Sequence, residues 1–327
     1  MMMYFLRRVW WMLILLVVVN FFSFAYAHYG RFAQLASNPF FAQTGEVEPL
    51  LPSYLEYVNG FLSGAPAQMP SMLGVDILKA VGTAAKASLG LLCIAFLLSL
   101  LIGFVIGVNS ARTNPPRVAG FLIPITTVSL AMPGFYIGAV LITVSVFYLL
   151  YSPGNAAHLP FPLNGFGWDA HLVFPVVALT FRPAVQIAQT TAILLTEEFR
   201  KDYVSAALSL GHSWNLIRRK TALQNILAPL AQVAASSLRL MVGELILVEW
   251  LFGWPGLGRL LATSLQPPGV ATVFSAALPA TYLHAPTVAT VVTILGLILV
   301  VSDLLFSSFS HASDPRLRMD GREAGNA

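Results

Sequence analysis

Four ionisable side chains, Arg182, Arg239, Glu244 and Glu249, lie inside long apolar stretches of this chain, and Asp303 lies nearer the end of another. A charge in hydrocarbon is costly, so each marks either a polar path or gate, or a pair that ties two helices together. The six histidines, His28, His158, His171, His212, His284 and His311, form no His-x-x-x-His pair. The one cysteine, Cys93, sits in an apolar run. These patterns predict no metal site and make Cys93 a small core residue. Gly211-His212-Ser213-Trp214 superficially has the form of a nucleophile turn, but Asn215 stands where the second glycine belongs. Its surroundings also read as helix rather than as strand, turn and helix. No Gly-x-x-x-x-Gly-Lys-Ser/Thr loop is present, so any use of ATP falls to another chain. The chain is expected to be no enzyme and to bind no cofactor itself.

The elements that must hold these residues follow from composition. Charged residues make up 10% of the 327, against about a quarter in soluble domains, so the apolar runs read as bilayer spans. Runs long enough to cross a bilayer occur at about 9–27, 83–108, 118–150, 171–195, 226–252 and 286–309. They predict an all-α polytopic membrane protein of about six transmembrane helices, with both termini on one side. Residues 118–150 suit a tilted or broken helix, with Pro124 and Pro133 bending it. Arg7, Arg8 and Ala25-Tyr26-Ala27 around the first run also fit a cleavable signal peptide, but the run is expected to stay as a helix. Gly103-x-x-x-Gly107 and Gly134-x-x-x-Gly138 read as close helix packing. Trp10, Trp11 and Trp250 suit interfacial anchors.

Loop charge sets the orientation. One side holds Arg7, Arg8, Arg112, Arg117, Arg200, Lys201, Arg218, Arg219, Lys220, Arg316, Arg318 and Arg322. The other holds Arg31, Lys79 and Arg259, with Lys86 near its edge. Both termini are therefore expected in the cytoplasm. The net charge of +4 belongs to this asymmetry; without a basic stripe carrying aromatics, nucleic acid is not an expected partner. The expected organisation is 1–82, a first transmembrane helix with a long external segment; 83–310, a core of five transmembrane helices with a cytoplasmic loop at 196–225; and 311–327, a cytoplasmic tail.

In that loop Val204, Ala207 and Leu208 recur at helical spacing, Gly211 interrupts them, and a second helical stretch reaches Pro229. Two short helices joined at a glycine make a rigid knob, and the small Ala206 and Ala207 let a partner surface come close. An amphipathic loop lying on the membrane has the same pattern.

Asp202, Tyr203, Val204, Ala207, Gly211, Asn225 and Pro229 resemble the cytoplasmic loop of ABC importer permeases of the dipeptide, oligopeptide and nickel branch. Ser129 to Gly138, with Met132, Pro133 and Phe135, is similar to that family's third-span signature. Glu249-Trp250-Leu251-Phe252-Gly253-Trp254-Pro255-Gly256-Leu257-Gly258-Arg259 is the most specific match. Tyr4 to Arg8, Asp303-Leu304-Leu305 and Asp314 to Arg318 are similar to the family's two ends. The chain departs from the branch at Ala27 to Arg31, where Pro-Gly-Asp-Pro is usual. It departs again at Ser205, Leu208 and Leu210, where basic residues are usual, and at Gln189 and Ala192, where arginines are. It therefore resembles a divergent member.

The resemblance implies a type I ABC importer-like fold in a bacterial inner membrane. It implies a coupling helix seated in an ATPase subunit, with Asp202, Tyr203, Val204, Ala206, Ala207, Gly211 and Trp214 as coupling residues. Ser129, Met132, Pro133, Phe135, Arg239, Glu244 and Glu249 become candidates for the path or gate. Trp254, Pro255, Gly256 and Gly258 form a structural motif. The implied partners are a second, different permease, two ATP-binding subunits holding ATP and Mg, and an external substrate-binding protein; the implied cargo is peptides or a related small solute. The rival is a self-contained secondary transporter or channel, against which no clear repeat relates the two halves.

Overall fold

A computed structural model describes residues 2–37, 48–67, 75–151, 159, 161–266 and 282–313. His158 and the expected ending Asp314 to Arg318, with Arg322, lie outside the described residues. The elements in order are α1 (Met2–Ser37), α2 (Leu50–Leu62), α3 (Ile77–Ser110), β1 (Ala111–Thr113), β2 (Pro116–Val118), α4 (Leu122–Ala131) and α5 (Gly134–Tyr151). After a 3-10 turn at Ala170–Leu172 come α6 (Val173–Phe199), α7 (Asp202–Ser209), α8 (Trp214–Ile217), α9 (Leu223–Leu251), α10 (Leu257–Leu265) and α11 (Ala285–Ser313). Among the described residues, 6 helical stretches are long and apolar enough to cross a bilayer: 7–34, 77–110, 134–151, 170–199, 214–251 and 285–308. The expected all-α polytopic architecture holds.

Residues 118–150 take the broken form that the sequence allowed: β2 takes the start, and α4 and α5 are separate helices parted at Met132 and Pro133. Met132 is extended, at φ −105° and ψ 116°, as the residue before a proline prefers. Two details differ from the sequence reading. Pro124 lies in the first turn of α4, where a missing N–H costs nothing, so it bends no helix. The second half of the cytoplasmic loop is also not a short helix. α8, a π-helical turn at Arg218–Ala222 and α9 follow without interruption, and Pro229 lies inside α9.

The chain forms two compact units, residues 1–90 with 253–300, and residues 91–252 with 301–327. In the first, polar groups inside apolar helices find each other. Asn20 on α1 donates to Tyr57 Oη on α2 at 3.1 Å and to Thr293 Oγ1 on α11 at 2.9 Å, and accepts from Tyr54 Oη at 3.0 Å. Such bonds join helices where lipid supplies no hydrophobic drive between them. Phe24 stacks on Tyr57 beside them, with centroids 5.3 Å apart.

In the second unit α6 is the central element, packed against α4, α5 and α9. Gly103 and Gly107 let α3 approach it closely. A Cβ at Gly103 would lie 2.6 Å from the Ala184 carbonyl oxygen, and one at Gly107 2.5 Å from Thr191 Cβ. The packing reading of these glycines holds. Ala192, where the family usually has arginine, is fully buried against Leu122 and Ala188, so the small side chain is a packing residue here.

Candidate translocation and coupling sites

The break between α4 and α5 lies against a buried ion pair. Arg182 on α6 meets Glu244 on α9, Nη1 to Oε1, at 2.8 Å, with side chains only 23% and 11% exposed. Glu244 Oε2 and Arg182 Nε are buried without a hydrogen-bond partner among the described residues. Gly134, the first residue of α5, sits directly on this carboxylate. A Cβ there would lie 2.3 Å from Glu244 Oε2 and 2.8 Å from the Ala178 carbonyl oxygen, so only glycine fits. The Pro133-Gly134 corner and the charged pair thus form one polar site inside apolar helices, a costly arrangement that generally serves function.

The other path candidates lie around it differently. Ser129 is fully buried, its hydroxyl also without a partner among the described residues. Phe135 is exposed, at the start of α5. Arg239 does not join the Arg182 pair; it binds Asp303 on α11 at 2.7 Å, nearer solvent or lipid. Glu249 is completely buried near the end of α9.

At the other functional segment, α7 is held from beneath. Val204 is 1% exposed and is its inward anchor. Glu198, buried at the end of α6, accepts from Tyr203 Oη at 2.8 Å and from Asn225 Nδ2 at 3.2 Å, and pairs with Lys201. One carboxylate therefore clamps the end of α6, the first turn of α7 and the start of α9. Burial first, then the bond to Glu198, pushes the Tyr203 hydroxyl up to about 12, which keeps it a donor. Glu198 is absent from the candidates read in the sequence. Its signal was an acidic residue at a span end, three before Lys201 and five before Tyr203.

Asp202, Ser205, Ala206 and Ser209 make the outward face of α7. Leu210, 79% exposed, stands at its tip. Gly211 turns the chain there at φ +82°, a conformation that side chains resist. Trp214 is half-buried with its ring edge-on to Phe199 at 5.7 Å, and so braces the segment from inside.

The Trp254 motif is a lock within the first unit. Trp254 is fully buried and its Nε1 donates to the Ala87 carbonyl at 3.1 Å. The Leu257 amide donates to Ser88 Oγ at 2.7 Å, and Arg259 returns to the Gly253 carbonyl at 2.5 Å. Pro255, Gly256 and Gly258 shape the turn into α10 between these bonds.

A polytopic helical chain with a charged pair buried between its spans, and a short helix clamped at their ends, has the makings of a membrane transport subunit. The profile of the family described as binding-protein-dependent transport system inner membrane component matches residues 83–319, and the chain belongs to that family. It is similar to the oligopeptide transport system permease protein AppB of Bacillus subtilis, 24% identical over 235 residues, 72% of this chain and 74% of that one. The dipeptide transport system permease protein DppB of Lactococcus lactis is 25% identical over 273 residues, 83% of this chain and 82% of that one. DppB of Escherichia coli is 25% identical over 248 residues, 69% and 73% of the two chains. Family membership makes the chain the membrane-spanning permease component of an ABC importer and favours that reading over a self-contained transporter or channel.

Proposed function

We propose that this chain imports peptides or related small solutes across a bacterial inner membrane, together with a second, different permease, two ATP-binding subunits and an external binding protein. The termini and α7 face the cytoplasm, as the loop charge favours. The peptide names of its relatives support the cargo. ATP and Mg belong to the partner subunits, and this chain supplies path and lever without chemistry.

The observation that carries the coupling reading is the Glu198 clamp. The outward face of α7, with Asp202, Ala206 and Gly211, seats in the ATPase groove, with exposed Leu210 as an apolar contact. Tyr203, Val204, Ala207 and Trp214 hold that face to the membrane helices. Movement of α7 passes through Glu198 to Asn225 and along α9 to Glu244, about 30 Å at 1.5 Å per residue. α9 thus joins the coupling segment to the polar site at Ser129, Met132, Pro133, Gly134 and Phe135. ATP drives this only if it binds the closed ATPase pair better than the open one. The Arg239–Asp303 pair holds α9 to α11 as they move.

The test is purification of the tagged chain from mild detergent, with ATPase activity assayed on the wild type and on Gly211→Arg. Co-purification of an ATPase and a second permease is expected, with loss of binding or uncoupled hydrolysis in the variant. A wild-type chain that purifies alone and transports in vesicles without ATP sinks the proposal.

A further inference from the structure

The end of the second unit that carries α7 also holds a recess between the β1–β2 hairpin and α8. Its volume is about 290 Å³, and Asn109, Arg112, Thr113, Trp214, Asn215 and Arg218 line it. Two guanidinium groups, neutral amides and an indole line it, and no acidic side chain does among the described residues. Asn215 Oδ1 accepts from Arg218 Nη2 at 3.0 Å and so orients that guanidinium. Arg112 stands opposite Arg117 across the hairpin, so like charges face each other on neighbouring strands, an unfavourable arrangement without an anion nearby. Arg200 Nη2 donates to the Pro116 carbonyl at 3.1 Å and adds a further positive charge while holding the hairpin to the end of α6. The buried acid at the end of α6, Glu198, is occupied by Lys201, Tyr203 and Asn225.

The recess begins where the apolar run of α3 ends. Asn109 is in the last turn of α3, and half-buried Trp214 is an amphipathic ring of the kind that settles at headgroup level. Leu98, Ile102 and Ile106 lie on the same stripe of α3 as Asn109, at helical spacing. With α4 and α6 they line an apolar groove of about 350 Å³. A polar recess with two arginines beside an apolar groove suits a molecule with an anionic head and a hydrocarbon tail.

We propose that this recess binds the phosphate group of an anionic phospholipid of the cytoplasmic leaflet, with an acyl chain along the Leu98–Ile106 stripe. The inference rests on the orientation given under Proposed function. Paired guanidinium forks match phosphate oxygens in a way that a lysine point charge does not. Inorganic phosphate offers the same oxygens without the tail.

The experiment is native mass spectrometry of the detergent-purified complex, with phosphatidylglycerol, phosphatidylcholine or inorganic phosphate added. Detergent removes the charged bilayer that would attract the whole basic surface. The wild type is expected to retain phosphatidylglycerol in preference to phosphatidylcholine. Arg112→Gln/Arg218→Gln should bind it at least about tenfold more weakly, because charge-assisted bonds to the phosphate are lost. Arg219→Gln/Lys220→Gln, exposed residues outside the recess with the same loss of charge, should stay close to the wild type. Displacement of the lipid by inorganic phosphate supports the phosphate site and assigns it a soluble source. Equal losses in the two double variants, or equal retention of both lipids by the wild type, overturns the proposal. Co-purification of the ATPase is scored in the same preparations, so this failure is separable from failure of the transport reading.

Discussion

In the Arg182–Glu244 pair, Glu244→Gln keeps a hydrogen-bond acceptor but removes the charge that balances Arg182. The groups are 2.8 Å apart with side chains 23% and 11% exposed, so solvent screens them little. Removing one member of such a pair costs about 3–5 kcal/mol, because the other charge stays buried. The polar amide that each substitution introduces puts Glu244→Gln, and likewise Arg182→Gln, near the lower end, about 3 kcal/mol each. The double variant leaves two neutral amides and no unbalanced buried charge, and should cost no more than either single change. The coupling energy is then about 3 kcal/mol, well above the ~0.6 kcal/mol average and ~1.7 kcal/mol maximum of ordinary hydrogen bonds between membrane helices. The assay is reversible unfolding of all four proteins of the cycle in mixed micelles, by titration with a denaturing detergent and tryptophan fluorescence. A coupling of ~0.6 kcal/mol or less refutes the claim that this is a desolvated ion pair.

Three further outcomes follow from the geometry. Gly134→Ala places a methyl group 2.3 Å from Glu244 Oε2 and 2.8 Å from a backbone oxygen that cannot retreat. The overpacking should cost about 1–3 kcal/mol and slow transport at unchanged expression, measured by thermal unfolding and vesicle uptake. Tyr203→Phe removes one of the bonds to Glu198 and should cost about 1.5–3 kcal/mol. Its reading is the ratio of solute moved to ATP hydrolysed, which falls if the clamp transmits movement and stays constant if the bond only stabilises. Burial and then the Arg31 charge push His284 down to about 4 from 6.5. The unfolded chain therefore takes up the proton first as pH falls. The stability present above about pH 6.5 is lost toward pH 4, by up to about 3 kcal/mol, and His284→Gln should flatten the midpoint-against-pH curve in that window.

Hydropathy alone located the spans, because the cost of putting a polar group into lipid is local to each stretch of chain. Gly211 as a turn was legible for the same reason, since backbone preference needs no distant partner, and the Trp254 motif was legible only through its resemblance to the family's run; the bonds to Ala87 and Ser88 that lock it were not. The sequence did not tell a bend from a break at Pro133, or a short second helix from the continuous run through α8 and α9. Those outcomes depend on whether neighbouring helices re-satisfy the backbone around a proline. Nor did it say that Arg182 would meet Glu244 rather than Glu249, that Arg239 would take Asp303, or that Glu198 would gather Lys201, Tyr203 and Asn225. Each of those acids and bases is visible along the chain, but its partner depends on which helix faces come together. In lipid the inner and outer faces are both apolar, so periodicity does not reveal the inner one. Close approach at Gly103, Gly107 and Gly134 chose the faces, and only the tertiary structure places those backbones side by side.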